Sequence, residues 1–440
     1  MRYVGVQTFG GGLDLGLVQS GWELVHRAEQ QGGFGLAECD NNRHLLGADW
    51  TLESGPPAGW QAFNDIDAVF SLPPCSGFSL MSIRAGTPGP GGGKDYRGIH
   101  APVNSCMWAT IEYAARTNGG DGPQIVAFES VQGAGRDTAK GGLPLMRMLR
   151  TRLEELTGHE YHLTHVFHNA ASLGGASIRP RYFFVASRVP FGVETPRIER
   201  VPTLRESIGD LDVDTSQWGP TEYAEPANFW TASRRNVYGK VDGNMTQTLT
   251  GRYAHLVAGA LESGWQPGEQ LINVAQRQYE GDGSWPSGWD EREQERSIRT
   301  NFQGGVYQPG RMRPERACRV LSGGALTGYI HPWRDRTFTY REVARIMGFP
   351  DAWNVDTYTQ SGHGPVFGKA VTVQCGVWLG GWAKRAIEGD PGKWSGKPTG
   401  ERETTINTTS DHKAVYNERT GAWEDSRSVA LRKEMESRPA

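Results

Sequence analysis

A cysteine on a proline-rich turn is the residue of this sequence best placed to act as a nucleophile. The stretch Ser71-Leu-Pro-Pro-Cys-Ser-Gly-Phe-Ser79 follows Asp65–Phe70, a short apolar run typical of a buried strand. Cys75 is therefore predicted to lie on a rigid turn at the carboxyl edge of a sheet, where ligands bind in open α/β sheets. Residues 80–94 contain five glycines and predict a mobile loop. A nucleophile beside a closing loop suits covalent catalysis, although a lone Pro-Cys pair would be interpreted as an ordinary buried cysteine.

Charged side chains occupy two further strand ends. Gln124–Val131 predicts a buried strand that carries Glu129 near its end, so Glu129 and Cys75 are expected to approach each other at one edge of a parallel sheet. Arg179 and Arg181 alternate at the entry to another strand, so both side chains point the same way. The two arginines form either a clamp for an anion or a base, or a solvated edge.

The N-terminal residues have the pattern of a nucleotide-type cofactor site. Tyr3–Phe9 predicts a first strand, and an apolar-periodic helix ends at about Ser20. Strand and helix are joined by a glycine turn, Gly10, Gly11 and Gly12. A strand, a glycine turn and a helix in this order are typical of a cofactor site, although such turns also occur for purely geometric reasons.

Two later strand ends carry candidate ligands for the same cofactor. Leu24–Glu29 predicts the second strand, and an acid at its end is able to bond a ribose hydroxyl. Asp49 and Trp50 offer a carboxylate and an aromatic ring at the next strand-to-loop position, where an adenine would bind. Taken singly, each of these residues is equally typical of a surface or packing position.

Length, charge and cysteine usage bound the class of protein. The 440 residues are too many for one ordinary core and predict two domains with appendages. The net charge of −3 does not indicate nucleic-acid binding, although local basic patches can hide in the average. Five scattered cysteines without a CxxC pair indicate a reducing cytosol and argue against structural zinc. Without a signal peptide or a long apolar run, a soluble cytoplasmic protein is expected.

The order of the motifs resembles that of the cytosine-C5 DNA methyltransferases. Pro73–Ser79 is similar to the nucleophile motif of that family, and Phe128–Val131 is similar to its Glu-Asn-Val. Ser177-x-Arg179-x-Arg181 resembles Gln-x-Arg-x-Arg. Near the carboxyl end, Tyr340–Asp351 resembles Arg-Glu-x-x-Arg-x-Gln-Gly-Phe-Pro, and Phe367–Val371 resembles Gly-Asn-Ala-Val. Five motifs in the family's order and spacing make the resemblance specific.

The resemblance implies a fold and a domain order. The fold is a doubly wound, mostly parallel α/β domain of Rossmann-like type with a smaller target-recognition domain. The catalytic domain is expected at residues 1–188, the recognition domain at 189–318 and a return segment at 319–387. A hydrophilic extension at 388–440 has no clear core pattern, and Glu424–Ser437 predicts a charged helix.

The resemblance also implies a reaction. A cytosine is flipped out of duplex DNA, Cys75 attacks its C6, and C5 takes a group from S-adenosylmethionine. Glu129 bonds or protonates N3, for which it must hold a proton near neutral pH, while Arg179 and Arg181 hold the base carbonyl and a phosphate. The protein is expected to act as a monomer, without a metal or a membrane, in a bacterial or virus-infected cell.

The predicted binding residues form two sets. The cofactor set is Phe9, Gly10, Gly11, Gly12, Glu29, Asp49, Trp50, Pro74 and Lys369. The DNA set is Ser79, Arg234, Arg235, Lys240 and Arg252. Most of the DNA set lies in or near the stretch 229–240, which interleaves bases and aromatics as a DNA-facing surface would, or as a solvated loop with incidental charge.

Three departures from the family pattern bear on the cofactor. Gln7 and Phe9 occupy the positions of a phenylalanine and the first glycine of the cofactor turn, unless one residue is deleted there. Ser130 replaces the asparagine of Glu-Asn-Val, with a modest expected effect. Lys369 replaces the asparagine of Gly-Asn-Ala-Val and would face a sulfonium. An ammonium there suits carboxy-S-adenosylmethionine, which would give 5-carboxymethylcytosine, or it contacts a DNA phosphate or the methionine carboxylate during ordinary methylation.

Two other functions are compatible with the motifs. An RNA cytosine-C5 enzyme of the same family would keep all of them, although the long recognition segment favours duplex DNA. A catalytically inactive DNA-binding paralogue is the second alternative. Retention of Cys75, Glu129 and both arginines argues against it, because an inactive copy has no chemical reason to keep the four together.

Overall fold

The computed structural model divides into two units. One comprises Met1–Val201, Ala370–Lys413 and Ser426–Ala440, and the other comprises Pro202–Lys369 and Ala414–Asp425. The domain limits at 188, 318 and 387 remain predictions. The structure describes residues 1–30, 42–47, 50–53, 57–75, 78, 104–135, 145–189, 191–192, 201–211, 238–241, 244–247, 263–264, 266, 271–286, 310–321, 329–333, 338, 340–355, 367, 370–390, 397–407, 414–417 and 422–425.

A sheet of nine strands forms the centre of the first unit. All strands of the described residues are β1 (Arg2–Val6), β2 (Glu23–Gln30), β3 (Trp50–Glu53), β4 (Ala68–Ser71), β5 (Ile125–Ser130), β6 (His162–Asn169), β7 (Pro180–Ser187), β8 (Tyr238–Val241), β9 (Asn244–Gln247), β10 (Gly310–Arg311), β11 (Tyr329–Ile330), β12 (Lys397–Gly400), β13 (Glu403–Asn407), β14 (Ala414–Asn417) and β15 (Ala422–Asp425). The sheet order is β12-β13-β6-β7-β5-β4-β1-β2-β3. β7 runs antiparallel to β5 and β6, β12 runs antiparallel to β13, and the other neighbours are parallel. The predicted mostly parallel α/β fold is confirmed.

Helices cover both faces of this sheet. The helices of the described residues are α1 (Gly12–Gln19), α2 (Arg43–Leu46), α3 (Ser105–Arg116), α4 (Leu145–Thr157), α5 (Leu204–Ile208), α6 (Leu271–Asp282), α7 (Tyr340–Ile346) and α8 (Val373–Ile387). α3 and α4 share one apolar core with Val126 and Phe128 of β5. Because side chains alternate along a strand, Glu129 lies on the opposite face. Trp378 of α8 packs against Phe183, the residue paired with Glu129, so α8 covers that face.

The predicted elements of the first unit are largely confirmed. The second strand and the helix after the glycine turn form close to their predicted limits. The first strand ends at Val6 rather than Phe9, because Gln7 and Phe9 have left-handed backbone angles that a strand cannot accommodate. None of the described helices combines the length and the apolar character needed to cross a membrane.

The C-terminal extension differs from expectation. Residues 397–407 form β12 and β13, and β13 pairs in parallel with β6. The sequence of β13 shows no apolar core pattern because polar side chains anchor this strand. Glu403 is buried and accepts hydrogen bonds from Arg147 at 2.6 and 2.9 Å. Its other partner, His165, lies 3.2 Å away. The helix predicted from Glu424 is wrong at its start, because residues 424 and 425 belong to β15, and its remainder lies outside the described residues.

We expect Glu403→Gln to lower the free energy of unfolding by about 2 kcal/mol, since it removes a charge-assisted pair from a buried strand. Burial opposes ionisation, but the bonds from His165 and Arg147 outweigh it and hold the pKa of Glu403 well below its usual range. A depressed carboxyl pKa stabilises the fold above the unfolded pKa, and the contribution is lost as pH falls. Thermal unfolding at pH 7 and pH 4 measures this, and the effect of the substitution should shrink at pH 4. The exposed Glu401→Gln is the control and should change the unfolding midpoint at neither pH.

Candidate active site

Two parallel strands bring the thiol and a carboxylate to one edge of the sheet. β4 and β5 are neighbours, and Ser71 lies opposite Phe128 in their register. Glu129 therefore projects at the carboxyl end of β5, while Cys75 follows β4 by four residues on a Pro-Pro turn. Cys75 is a free thiol and half-buried, and Glu129 is 5% exposed. The predicted approach of these two residues is consistent with the electrostatic effect of the Glu129 carboxylate on the Cys75 thiol.

An arginine from β7 meets this carboxylate. Because β7 runs antiparallel to β5, the start of β7 lies beside the end of β5. The Arg181 Nε lies 2.5 Å from Glu129 Oε1, and both side chains are buried. A buried ion pair of this kind holds both groups in one orientation, because separating either charge from its partner is costly.

The second arginine is fixed more deeply. Arg179 is 0% exposed, and its guanidinium donates to the carbonyl oxygen of Ala370 at 2.5 Å. Its backbone N–H donates to the side chain of Asn169 at 2.8 Å. Burial lowers the pKa of Arg179 to about 9, with Arg181 adding to the effect. Both arginines are buried, so neither lies at a solvated edge, and the clamp remains a prediction.

The charges around the thiol act in opposite directions. Burial raises the pKa of Cys75, the Glu129 carboxylate raises it further, and Arg181 and Arg179 lower it. Burial also raises the pKa of Glu129, against the effect of the same two arginines. The pKa of Glu129 therefore lies above that of an exposed glutamate, and the arginines are the groups that favour a thiolate at Cys75.

Removing the Glu129 charge should make the thiol more acidic. In Glu129→Gln we expect the pKa of Cys75 to fall, because the carboxylate that raises it is gone while Arg179 and Arg181 remain. The pH dependence of iodoacetamide alkylation at Cys75, followed by peptide mass spectrometry, measures this directly. The matched control is the exposed Asp121→Asn, which should leave the profile unchanged. An unchanged or raised pKa in Glu129→Gln would contradict the arrangement.

One predicted cofactor residue, Glu29, is a second buried carboxylate. Glu29 lies near the end of β2 and is 2% exposed. Its Oε1 accepts hydrogen bonds from the backbone N–H of Phe9 at 3.2 Å and from Arg27 at 2.8 Å. Burial raises the pKa of Glu29 to about 7, although Arg27 opposes the shift. An acid at the end of β2 beside a glycine turn that opens α1 is a donor set that fits an adenosyl cofactor.

The turn itself has an unusual backbone. Gln7 and Phe9 have φ of 55° and 63°, and Gly11 has φ of 80°. A left-handed conformation costs a residue with a side chain roughly 1–2 kcal/mol, whereas glycine adopts it freely. Phe9 therefore adopts the conformation that the family's first glycine would provide, which favours the alignment without a deletion.

A charged cluster beneath this turn was not predicted. Arg27 Nε lies 2.9 Å from Asp14 Oδ2 and donates to Thr8 Oγ1 at 2.8 Å. Arg27 Nη2 donates to the carbonyl oxygen of Phe9 at 2.8 Å and pairs with Glu29 at 2.8 Å. The available signal was an arginine two residues before Glu29 inside a predicted strand, a spacing that places both side chains on one face.

The remaining predicted site residues fall into three groups. Pro74 is exposed beside Cys75, and Gly10, Gly11 and Gly12 are buried in the turn. Trp50 and Lys240 are described only in the backbone of β3 and β8. The others, together with the loop of residues 80–94, lie outside the described residues: Asp49, Ser79, Arg234, Arg235, Arg252 and Lys369. Within the described part of the chain, no group of three His, Cys, Asp or Glu side chains is arranged to hold a metal ion.

Comparison with known proteins finds a matching family, a similar sequence and similar folds. The model of the C-5 cytosine-specific DNA methylase family matches residues 9–380. The chain is similar to the type II methyltransferase M.DdeI of Desulfomicrobium norvegicum, with 24% identity over 361 residues that cover 78% of this chain and 77% of that protein. It is also similar in fold to the structure of a prophage-encoded DNA modification methyltransferase of E. coli, with a TM-score of 0.53, 17% identity and coverage of 88% and 99% of the two chains. The methyltransferase EhMeth of Entamoeba histolytica gives a TM-score of 0.51, 10% identity and coverage of 89% and 99%.

Proposed function

Because the chain belongs to the C-5 cytosine-specific DNA methylase family, we propose that it transfers a one-carbon-attached group to C5 of cytosine in duplex DNA. One observation carries the proposal. Cys75 stands at the sheet edge where the Arg181–Glu129 pair closes at 2.5 Å, with Arg179 buried beside it. A nucleophile, an acid and two cations in one buried group are the parts that attack on a pyrimidine ring needs.

Cys75 begins the proposed reaction. Its thiolate forms a bond from Sγ to C6 of a cytosine that has left the duplex stack, because C6 is not accessible inside the stack. The ring electrons move towards N3, which takes a proton from Glu129, and C5 becomes nucleophilic like the carbon of an enamine. Burial of Glu129 supports this role, since it favours the protonated carboxyl that can donate.

The arginines hold the base during this step. Arg179 and Arg181 are proposed to donate to the base carbonyl and to a nearby phosphate, which fixes the ring against the thiol. After C5 has taken the new group, a base removes the C5 proton, and the electrons of that C–H bond expel Cys75 as a thiolate. Glu129 takes its proton back from N3 as the neutral product forms, the base passes the C5 proton to solvent, and the enzyme is then unchanged.

The family uses S-adenosylmethionine, and the residues present fit it. Glu29 would hold the ribose, and the turn of Gly10, Gly11 and Gly12 would approach the amino-acid end of the molecule. The bound cofactor supplies an electrophilic carbon attached to a sulfonium. The DNA-facing residues proposed from the sequence are Ser79, Arg234, Arg235, Lys240 and Arg252.

Lys369 favours a second cofactor as the donor of the transferred group. This residue directly precedes Ala370, whose carbonyl oxygen accepts a hydrogen bond from Arg179 in the site. An ammonium close to a sulfonium is repelled by roughly a few kcal/mol when both are partly buried. The carboxylate of carboxy-S-adenosylmethionine would turn this repulsion into an ion pair, so we propose carboxymethyl transfer, giving 5-carboxymethylcytosine, as the finer function.

Nucleoside mass spectrometry of treated duplex DNA tests both proposals. Wild type and Lys369→Asn are each supplied with S-adenosylmethionine and with its carboxy form. Carboxymethylcytosine from wild type that is lost in the variant would support the lysine as the donor-selecting residue. Methylcytosine as the only product of both proteins would support an ordinary methyltransferase and would contradict the proposed carboxymethyl transfer. Modified cytidine on RNA of the same sequence, without modified DNA, would favour the RNA alternative.

A further inference from the structure

The charged cluster beneath the cofactor turn includes two groups, Asp14 and Arg27, that have no place in the reaction above. Asp14, Arg27 and Glu29 are 0%, 1% and 2% exposed, so two carboxylates and one guanidinium are packed together away from water. Asp14 is held in turn by the hydroxyl groups of Thr8 at 2.5 Å and Tyr3 at 3.0 Å. Burying three charges is costly unless each is paired, so the arrangement needs a reason beyond filling the core.

The turn supplies that reason. Arg27 donates to the carbonyl oxygen of Phe9, while Glu29 accepts from the N–H of the same residue. The peptide groups on both sides of Phe9 are thereby fixed by one ion pair. Arg27 also donates to the Thr8 hydroxyl, which anchors the preceding residue. These bonds meet at the residue whose backbone has a left-handed φ of 63° without being glycine.

We propose that Arg27 is a positioning residue for the cofactor, which holds the Thr8–Phe9 turn in its left-handed conformation and orients Glu29 without touching the cofactor itself. The inference rests on the proposed function, because it assigns the turn and Glu29 to the adenosyl group. A planar guanidinium can bond Thr8, Phe9, Asp14 and Glu29 at once. A lysine ammonium keeps the charge but lacks the planar, forked arrangement of N–H donors.

A double-mutant cycle on binding tests this role. The dissociation constant for S-adenosylhomocysteine is measured by calorimetry for wild type, Arg27→Lys, Phe9→Gly and the double variant. We expect Arg27→Lys to weaken binding about tenfold in the wild-type background. In the Phe9→Gly background the loss should fall to about threefold or less, because glycine adopts the left-handed turn without the clamp. Equal losses in both backgrounds would overturn the proposal.

Controls separate positioning from general damage. Arg2→Lys changes an exposed arginine on the adjacent strand β1 and should leave binding unchanged. In turnover, Arg27→Lys should raise KM for the cofactor and leave kcat and KM for DNA within about twofold. If Arg27→Lys does not fold alone, Phe9→Gly must restore its folding, and failure to do so overturns the proposal. A wild type that binds no S-adenosylhomocysteine would instead contradict the proposed function.

Discussion

Replacing Cys75 by serine is expected to reduce turnover on cytosine-containing duplex DNA by at least ~10³-fold, because Cys75 is the nucleophile of the proposed reaction. A serine hydroxyl has a pKa far above that of a thiol, and the arginines that favour a thiolate at Cys75 cannot ionise it. The rate of product formation by nucleoside mass spectrometry measures the loss.

Covalent trapping of the enzyme on DNA tests the role of Cys75 chemically. A duplex with 5-fluorocytosine at the target position carries no removable proton on C5, so the covalent adduct between Sγ and C6 should accumulate. Wild type should give a denaturation-resistant complex, and Cys75→Ser should give none. Cys318→Ala is the matched control, because Cys318 is buried in the other unit, and it should retain both adduct and turnover. An adduct that survives Cys75→Ser would refute the assignment of the nucleophile.

The main parts of this site were predictable because they depend on sheet geometry. Apolar runs predicted β4 and β5, and residues at the carboxyl ends of neighbouring parallel strands meet at one edge. That rule alone places Cys75 near Glu129. The alternate spacing of Arg179 and Arg181 gave their common direction, although the antiparallel insertion of β7 that brings Arg181 to Glu129 could not be derived from the spacing.

The unpredicted parts depend on contacts between residues distant in sequence. β13 has few apolar residues, and its place in the sheet depends on Glu403 meeting Arg147 and His165, more than 200 positions earlier. Arg27 is buried in β2 and is tolerated there because Asp14 and Glu29 neutralise it in the folded state. The secondary-structure propensity of a segment carries no information about partners that lie far away in the sequence. In the unfolded chain the charges of these partners would be solvated separately.

Replacing glycine by alanine should have opposite effects on stability at two positions of α8. α1 and α8 pack so closely that a Cβ added at Gly376 would meet the carbonyl oxygen of Leu13 and lie 2.9 Å from the Cα of Gly16. Both neighbours are backbone atoms of α1, so neither can rotate away. We expect Gly376→Ala to lower the free energy of unfolding by about 3 kcal/mol, the upper range for overpacking a closely packed contact.

Gly381, five residues further along α8, provides the opposite case. A Cβ there would have no atom within 4 Å, and its backbone is not left-handed. Because alanine loses less conformational entropy than glycine in a helix, we expect Gly381→Ala to stabilise the protein by about 0.5–1 kcal/mol. The two variants add the same atoms to one helix, so helix propensity alone predicts the same sign for both. Thermal unfolding midpoints that move in opposite directions would establish the helix contact as the cause.

The glycine contact also reaches the cofactor turn. α1 begins at Gly12, directly after the turn that Arg27 holds, so pushing α1 away from α8 should displace the turn as well. We therefore expect Gly376→Ala to weaken binding of S-adenosylhomocysteine more than it slows alkylation of Cys75, which lies after β4 and does not depend on α1. Gly381→Ala should change neither. Equal losses in both measurements would mean that the substitution disrupts the whole unit, whereas a selective loss of binding would show that the C-terminal helix supports the N-terminal cofactor turn.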